Sequence, residues 1–470
     1  MNTERIKSYI LFLLVTMSFV LTTRIWFYIS IEGLFVIPQS NPTFEAEQIY
    51  DKENLLKPSK MVVHTGQNHT LLSNNQKDKE HYSFILNASK DVLRNWLNDY
   101  ESYSSSNLQK DKLQQIREER AVELIFEYPM QLSSIKSLLD HDKNPWKDIN
   151  EIDSIIIAPY DSKLYIVDEG KGTIYQFTSM NLPTTLRGVI ADIEKRSDFA
   201  YIFLNEFNNK SYEFYGDYAM APVSVVTMPA LAVKGEVEIA DNIDPEIIKF
   251  FNDDSSTISS TKDKDGKITY TDRVEETVTI DAQGALEYYK YNVTAGDTKY
   301  TELEEAIDIA TQYVNQHIGF TYDFYLSGVE SRIQGGRTSY IISYDYKYNG
   351  IPIITELDTG RSAIEVEILG QEVKRYKRNV GVIEDQGNTV SIKSFSDILD
   401  LVWGGLDMRL NTTKAESIVM LNDIYLAYFG RNAALLPVWV VDVKVEGNDK
   451  VQYNKKYIIG AEEGVILDEK

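Results

Sequence analysis

Five histidines, His64, His69, His81, His141 and His317, are the side chains of this sequence best suited to acid–base work or metal ligation near neutral pH. His64 and His69 stand five apart with no carboxylate beside them in a metal-ligand pattern, and His317 lies beside an apolar helical stripe. All five read as structural or surface residues. Two S-x-x-K matches, Ser133-Ser134-Ile135-Lys136 and Ser259-Ser260-Thr261-Lys262, with His64-Thr65-Gly66 as a variant of K-T-G, would suit an acyl transfer in which the lysine activates the serine. The triplet precedes both matches, whereas penicillin-binding enzymes place it last, so these read as chance. Asp263-Lys264-Asp265-Gly266-Lys267-Ile268 has the middle of a calcium loop, but Thr261 takes the first position and Asp272 the last, where a bidentate Glu is needed. A hairpin turn is the better reading. No phosphate-binding G-x-x-x-x-G-K-[ST], dinucleotide-binding G-x-G-x-x-G or zinc-binding H-E-x-x-H is present. The sequence therefore assigns no catalytic, cofactor-binding or metal residue.

Composition narrows the class further. A chain of 470 residues predicts about three domains. A net charge of −23 repels polyanions and excludes a nucleic-acid-binding body. The absence of cysteine removes disulfides, thiolate metal sites and thiol nucleophiles together, and fits an exported bacterial protein. The 31 tyrosines sit mostly in alternating runs, which favours sheet.

The elements that must carry these residues begin with an anchor. Ser8 to Thr23 is uncharged, and apolar character resumes after Arg24 through Ile29, so one helix over 8–31 reaches roughly 36 Å and spans a hydrocarbon core of about 30 Å. The run offers no A-x-A-like cleavage site. Arg5 and Lys7 on the short flank place the N-terminus in the cytoplasm and the body outside, a single-pass type II arrangement, with Arg24 near the outer end of the span as the opposing cue. Arg24, Trp26 and Tyr28 suit the outer membrane interface. Ser8, Leu11, Val15, Ser18, Thr22 and Ile25 share one helix face and form a candidate surface for other membrane helices.

Beyond a connector at 32–44, the patterning predicts an N-terminal extracellular α+β domain over 45–236. Its elements are a helix from Lys90 capped by Ser89, strands at 121–128, 154–158, 163–168 and 173–178, a helix at 186–195 and a strand at 201–207. A short helix opens at Asp244-Pro245, and the polar tract from Asp253 to Asp263 reads as linker. A central unit, 237–380, carries a strand pair at 274–280 and 286–291. Its helix opens with the capping box Thr301-Glu302-Leu303-Glu304, and a meander follows through Asn349-Gly350. The C-terminal unit, 381–470, repeats that order, with a helix over 413–429 opened by Thr413-Lys414-Ala415-Glu416 and strands at 438–445, 451–459 and 465–467.

The opening ERIKSYILFLLVTMSFVLTTRIW, closed by Ile25-Trp26, resembles the start of the YycH family of membrane-anchored accessory regulators. The two C-terminal units resemble the extracellular domain of YycI and, in Leu436-Pro437-Val438-Trp439, the PepSY pattern. The resemblance implies a non-enzymatic regulatory subunit, without cofactor, in the cell membrane of a Gram-positive bacterium. It also implies a membrane complex with a WalK (YycG) sensor histidine kinase and a YycI-like protein that serves cell-wall homeostasis. A PepSY-like extracellular chaperone or protease inhibitor, or a cell-wall hydrolase, is the alternative.

Overall fold

The computed structural model describes residues 52–469 except 67, 76, 99–102, 142–147, 179–181, 197–199, 205–218, 223–226, 236–244, 252–257, 292, 294–300, 335–336, 355–361, 411–416, 432–433 and 447–450. The anchor and its proposed interaction face, with Arg5, Lys7, Arg24, Trp26 and Tyr28, lie outside the described residues. None of the described helices is long and apolar enough to cross a membrane.

Alternating apolar runs fold the first part into nine strands: β1 (Lys60–Thr65), β2 (His69–Leu72), β3 (Tyr103–Asn107), β4 (Arg120–Gln131), β5 (Glu151–Ala158), β6 (Lys163–Asp168), β7 (Thr173–Phe177), β8 (Ala200–Phe203) and β9 (Met220–Pro222). They form one sheet in the order β3-β7-β6-β5-β4-β1-β2-β8-β9. Helices α1 (Lys79–Asn98), α3 (Leu132–Leu138) and α4 (Thr184–Glu194) share a core with Val63, Leu124 and Ile155 of one face. On the other face α2 (Lys110–Arg117) packs Leu113 and Ile116 on Ile156 and Tyr165. The helix expected from Lys90 begins at Lys79, so Ser89 is a buried interior residue and not a cap.

The second sheet has fifteen strands. Its first members are β10 (Thr227–Gly235), β11 (Ser259–Lys262), β12 (Ile268–Thr271), β13 (Glu276–Ile280), β14 (Leu286–Lys290), β15 (Asp323–Gln334), β16 (Arg337–Tyr348) and β17 (Ile351–Ile354). The rest are β18 (Ile364–Leu369), β19 (Glu372–Arg378), β20 (Gly381–Ser391), β21 (Ser417–Arg431), β22 (Ala434–Glu446), β23 (Gln452–Gly460) and β24 (Ile466–Glu469). Three helices accompany them, α5 (Pro245–Ile248), α6 (Leu303–Gln316) and α7 (Phe395–Leu410). The tract assigned to linker is strand from Ser259 onward, and the calcium-loop look-alike is the β11–β12 turn, where Asp263 Oδ1 accepts the backbone N–H groups of Asp265 and Lys267.

Two helix-plus-meander units recur in this sheet, α6 with β15-β16-β18-β19 and α7 with β21-β22-β23-β24. The order matches the reading from sequence, but the second helix does not: 417–431 is strand, and the helix lies upstream at 395–410. The cause is physical. A bulge at Leu421/Asp423 puts Leu421 and Ile424 three apart on one face of β21, with Tyr428 four further on, and burial of Ala427 and Phe429 on the other face completes an apparent helical spacing. Thr301 likewise caps nothing: α6 starts at Leu303, and the Thr301 hydroxyl donates to Gly370 O at 2.6 Å.

A single apolar cluster runs through both sheets. The β16–β17 turn, Asn349-Gly350, has φ of 50° and 79°, and a Cβ on Gly350 would stand 2.6 Å from Ser73 Cβ and 2.9 Å from Asn74 N of the first sheet's loop. Gly387, at φ 74°, has open space around it. Gly387→Ala should therefore cost about 1–2 kcal/mol from backbone strain alone. Gly350→Ala should cost about 1–3 kcal/mol more from the clash. Urea denaturation midpoints of the two variants measure the difference.

Candidate functional site, a cleft between the sheets

β1 and β2 form a hairpin around Gly66 that sets His64 directly opposite His69, which explains their spacing of five. β4 pairs along the other edge of β1 and contributes Glu123, while α2 contributes Arg117. All four side chains are buried. Arg117 grips Glu123 through Nε to Oε2 at 2.8 Å and Nη2 to Oε1 at 3.0 Å, and its guanidinium lies 4.0 Å from the Phe203 ring centroid. His64 Nε2 meets the same Oε2 at 3.0 Å, and His64 Nδ1 meets His69 Nδ1 at 2.9 Å. A carboxylate bound to arginine only accepts, so His64 Nε2–H donates to it. His64 Nδ1 is then an acceptor, and His69 Nδ1–H donates.

Burial drives His64 down to about 4, against the pull of Glu123. Burial pushes Glu123 up, but Arg117 and His64 outweigh it and hold the carboxyl well below the usual carboxylate range. The nitrogens and oxygens face one another through hydrogen bonds with a guanidinium among them, an arrangement for holding protons. Among the described residues no group of three or more His, Cys, Asp or Glu is placed to hold a metal ion. Glu123 and Arg117 are the members that sequence reading missed: Glu123 stands 59 residues from His64, and nothing local announces the β1–β4 pairing.

The same sheet face continues into an open cleft. Val62, Ile125, Phe203 and Met220 form an apolar patch with Leu71 and Tyr201 against it, and Tyr201 is the register neighbour of His69. Ile125, Leu71, Tyr201 and Met220 line one wall of a cavity of about 880 Å³. The opposite wall belongs to β21, β22 and β23, and the Asn349-Gly350 turn also lines it. There Asp423, Asp442 and Lys456 stand directly opposite one another on successive strands. Lys60 of β1 crosses between the walls, with Nζ 2.7 Å from each oxygen of Asp423. Asn422 Nδ2 donates to Asp442 Oδ1 at 3.3 Å. Burial raises Asp442 above the ordinary aspartate range, with Lys456 and Asn422 opposing.

Apart from Trp439, which lines the cleft, the other residues singled out by sequence lie away from it. Ser133 and Lys136 sit on α3, where Lys136 Nζ pairs with Glu304 at 3.4 Å and Ser134 is buried. His81 accepts from Arg196 at 3.0 Å, and His141 Nε2 donates to Asn98 Oδ1 at 3.0 Å. His317 caps the end of α6 between the rings of Phe250 and Tyr313 and faces the carbonyls of Tyr313 at 2.8 Å and Lys249 at 3.1 Å. Trp439 of the PepSY-like run is buried, donating Nε1–H to Lys393 O at 3.0 Å.

A cleft of this size with opposed charges on two sheet faces is the geometry of a binding module. Residues 239–457, a little under half of the chain, match the family described as YycH protein, C-terminal domain. The crystal structure of YycH from Bacillus subtilis has the same fold, with a TM-score of 0.56 and 15% identity over 87% of this chain and 98% of that one. An uncharacterized protein from Eubacterium rectale matches at a TM-score of 0.35 and 13% identity over 52% and 86% of the two chains. No curated protein matches the chain.

The histidine chain has a pH signature. His64 is protonated more readily in the unfolded chain, at its ordinary 6.5, than in the fold, at about 4. Its contribution is therefore fully present above about pH 6.5 and is lost as pH falls towards about 4, on the order of 3 kcal/mol in all. Unfolding free energies at pH 7 and pH 4.5 should fall less in His64→Gln than in the unaltered chain. Parallel pH dependences would show that His64 does not titrate as the geometry requires.

Proposed function

We propose that this chain is a non-enzymatic regulatory subunit that modulates a WalK-like sensor histidine kinase through a membrane complex with the kinase and a YycI-like protein. The match of residues 239–457 to the YycH C-terminal domain carries this reading. It is supported by a body in which Ser133 and Lys136 are not set as nucleophile and base, Lys136 pairing instead with Glu304.

In this reading residues 8–31 anchor the body outside the cell, with Arg5 and Lys7 on the cytoplasmic side. The face of Ser8, Leu11, Val15, Ser18, Thr22 and Ile25 packs against the partner spans. Small and hydroxylated residues allow close helix approach and interhelical hydrogen bonds worth about 0.6–2 kcal/mol. The body then alters how the kinase helices pack.

A C-terminal tag should be digested by protease added to intact, wall-stripped cells. Replacing Ser18 and Thr22 with Leu should weaken co-purification with the kinase and change regulon output, while matched changes at Thr16 and Thr23 do less. Full regulation by a chain carrying an unrelated single-span helix would reduce the segment to a tether.

A further inference from the structure

The wall of the cleft formed by the second sheet carries an unresolved charge. Asp423 and Asp442 are directly opposite on β21 and β22, an arrangement of like charges that destabilises a sheet unless each finds a cation. Asp423 finds one, because Lys60 reaches both of its oxygens from the first sheet. Asp442 does not. Among the described residues its hydrogen bond is the long one from Asn422, at 3.3 Å. Lys456, opposite it on β23, makes no ion pair with it within 4.0 Å, so the two opposite charges stand side by side with their partnering capacity turned to the cleft. Facing them is the apolar wall of Ile125, Leu71, Tyr201 and Met220.

A neighbouring carboxylate and ammonium that do not close on one another complement a molecule bearing the same two groups in reverse. We propose that the cleft binds a zwitterionic amino acid or short peptide, with its ammonium group on Asp442 and its carboxylate on Lys456, and its side chains on the apolar wall. A cavity of about 880 Å³ exceeds what one amino acid fills, so the peptide is the expected occupant. Half-buried charged partners give such a site its selectivity, because a ligand lacking either group leaves one of them desolvated and unpaired. The proposal goes beyond the kinase-complex reading and is tested without the kinase.

The test is titration calorimetry on the full chain in detergent, with leucine, Leu-Leu and Leu-Leu-Leu as probes, each also as its N-acetyl and C-amide derivative. Saturable binding of at least one zwitterion, strengthening from the amino acid to the peptides and weakened at least tenfold by either derivatisation, is expected. Binding should also fall at least tenfold in Asp442→Asn and in Lys456→Met. The derivatives are compared on the unaltered protein, so the test survives a variant that folds poorly. The proposal is overturned by absence of saturable binding for all three zwitterions, by acetylated or amidated forms that bind as tightly as the free zwitterions, or by full affinity in a folded Asp442→Asn protein.

Discussion

The arrangement of the body depends on how the start of β1 is tied to the second sheet. Lys347, buried on β16, donates Nζ to Pro58 O at 3.1 Å and Ser59 O at 2.7 Å, and it sits 5.1 Å from the Tyr325 ring centroid. Lys57 pairs with Asp323, Lys60 with Asp423, and Lys52, just upstream, with Asp308 of α6 at 3.0 Å. A charged donor on backbone carbonyls away from water is worth about 1.5–3 kcal/mol. The Lys347 contact is the buried centre of this seam, and the part-buried ion pairs around it set its register.

From that seam the site follows. Fixing β1 against β16 leaves the apolar patch of the first sheet facing β21 to β23 across a gap, and the Asn349-Gly350 turn fits beside it because no Cβ obstructs Ser73. The buried chain from His69 through His64 to Glu123 and Arg117 lies on the same face, one register step from Tyr201. A fully hydrogen-bonded polar network specifies one strand pairing, because any slip would strand a charge in the core.

Much of the fold was legible in the sequence where one face of an element is buried. Strands β13, β14 and β18 and helix α6 show the alternation or the 3.6-residue period that burial imposes, and Asn349-Gly350 needs only local chemistry to make a turn. β15 and β20 were hidden, the first by its bulge at Leu326/Gly328 and the second by a mostly exposed surface that leaves no apolar period. β21 was misread because a bulge and burial of both its faces together imitate a helix. The site was largely illegible: Glu123 and Arg117 reach His64, and Lys60 reaches Asp423, only through tertiary pairing.

The central claim, that a lysine seam makes two sheets into one body and so creates the cleft, is tested most directly by amide hydrogen exchange across a urea series. Protection is read separately at β5–β6 of the first sheet and at β22–β23 of the second. The account predicts a single shared midpoint in the unaltered chain and two separated midpoints in Lys347→Met. Separate midpoints in the unaltered chain, or one shared midpoint that survives the substitution, would contradict it.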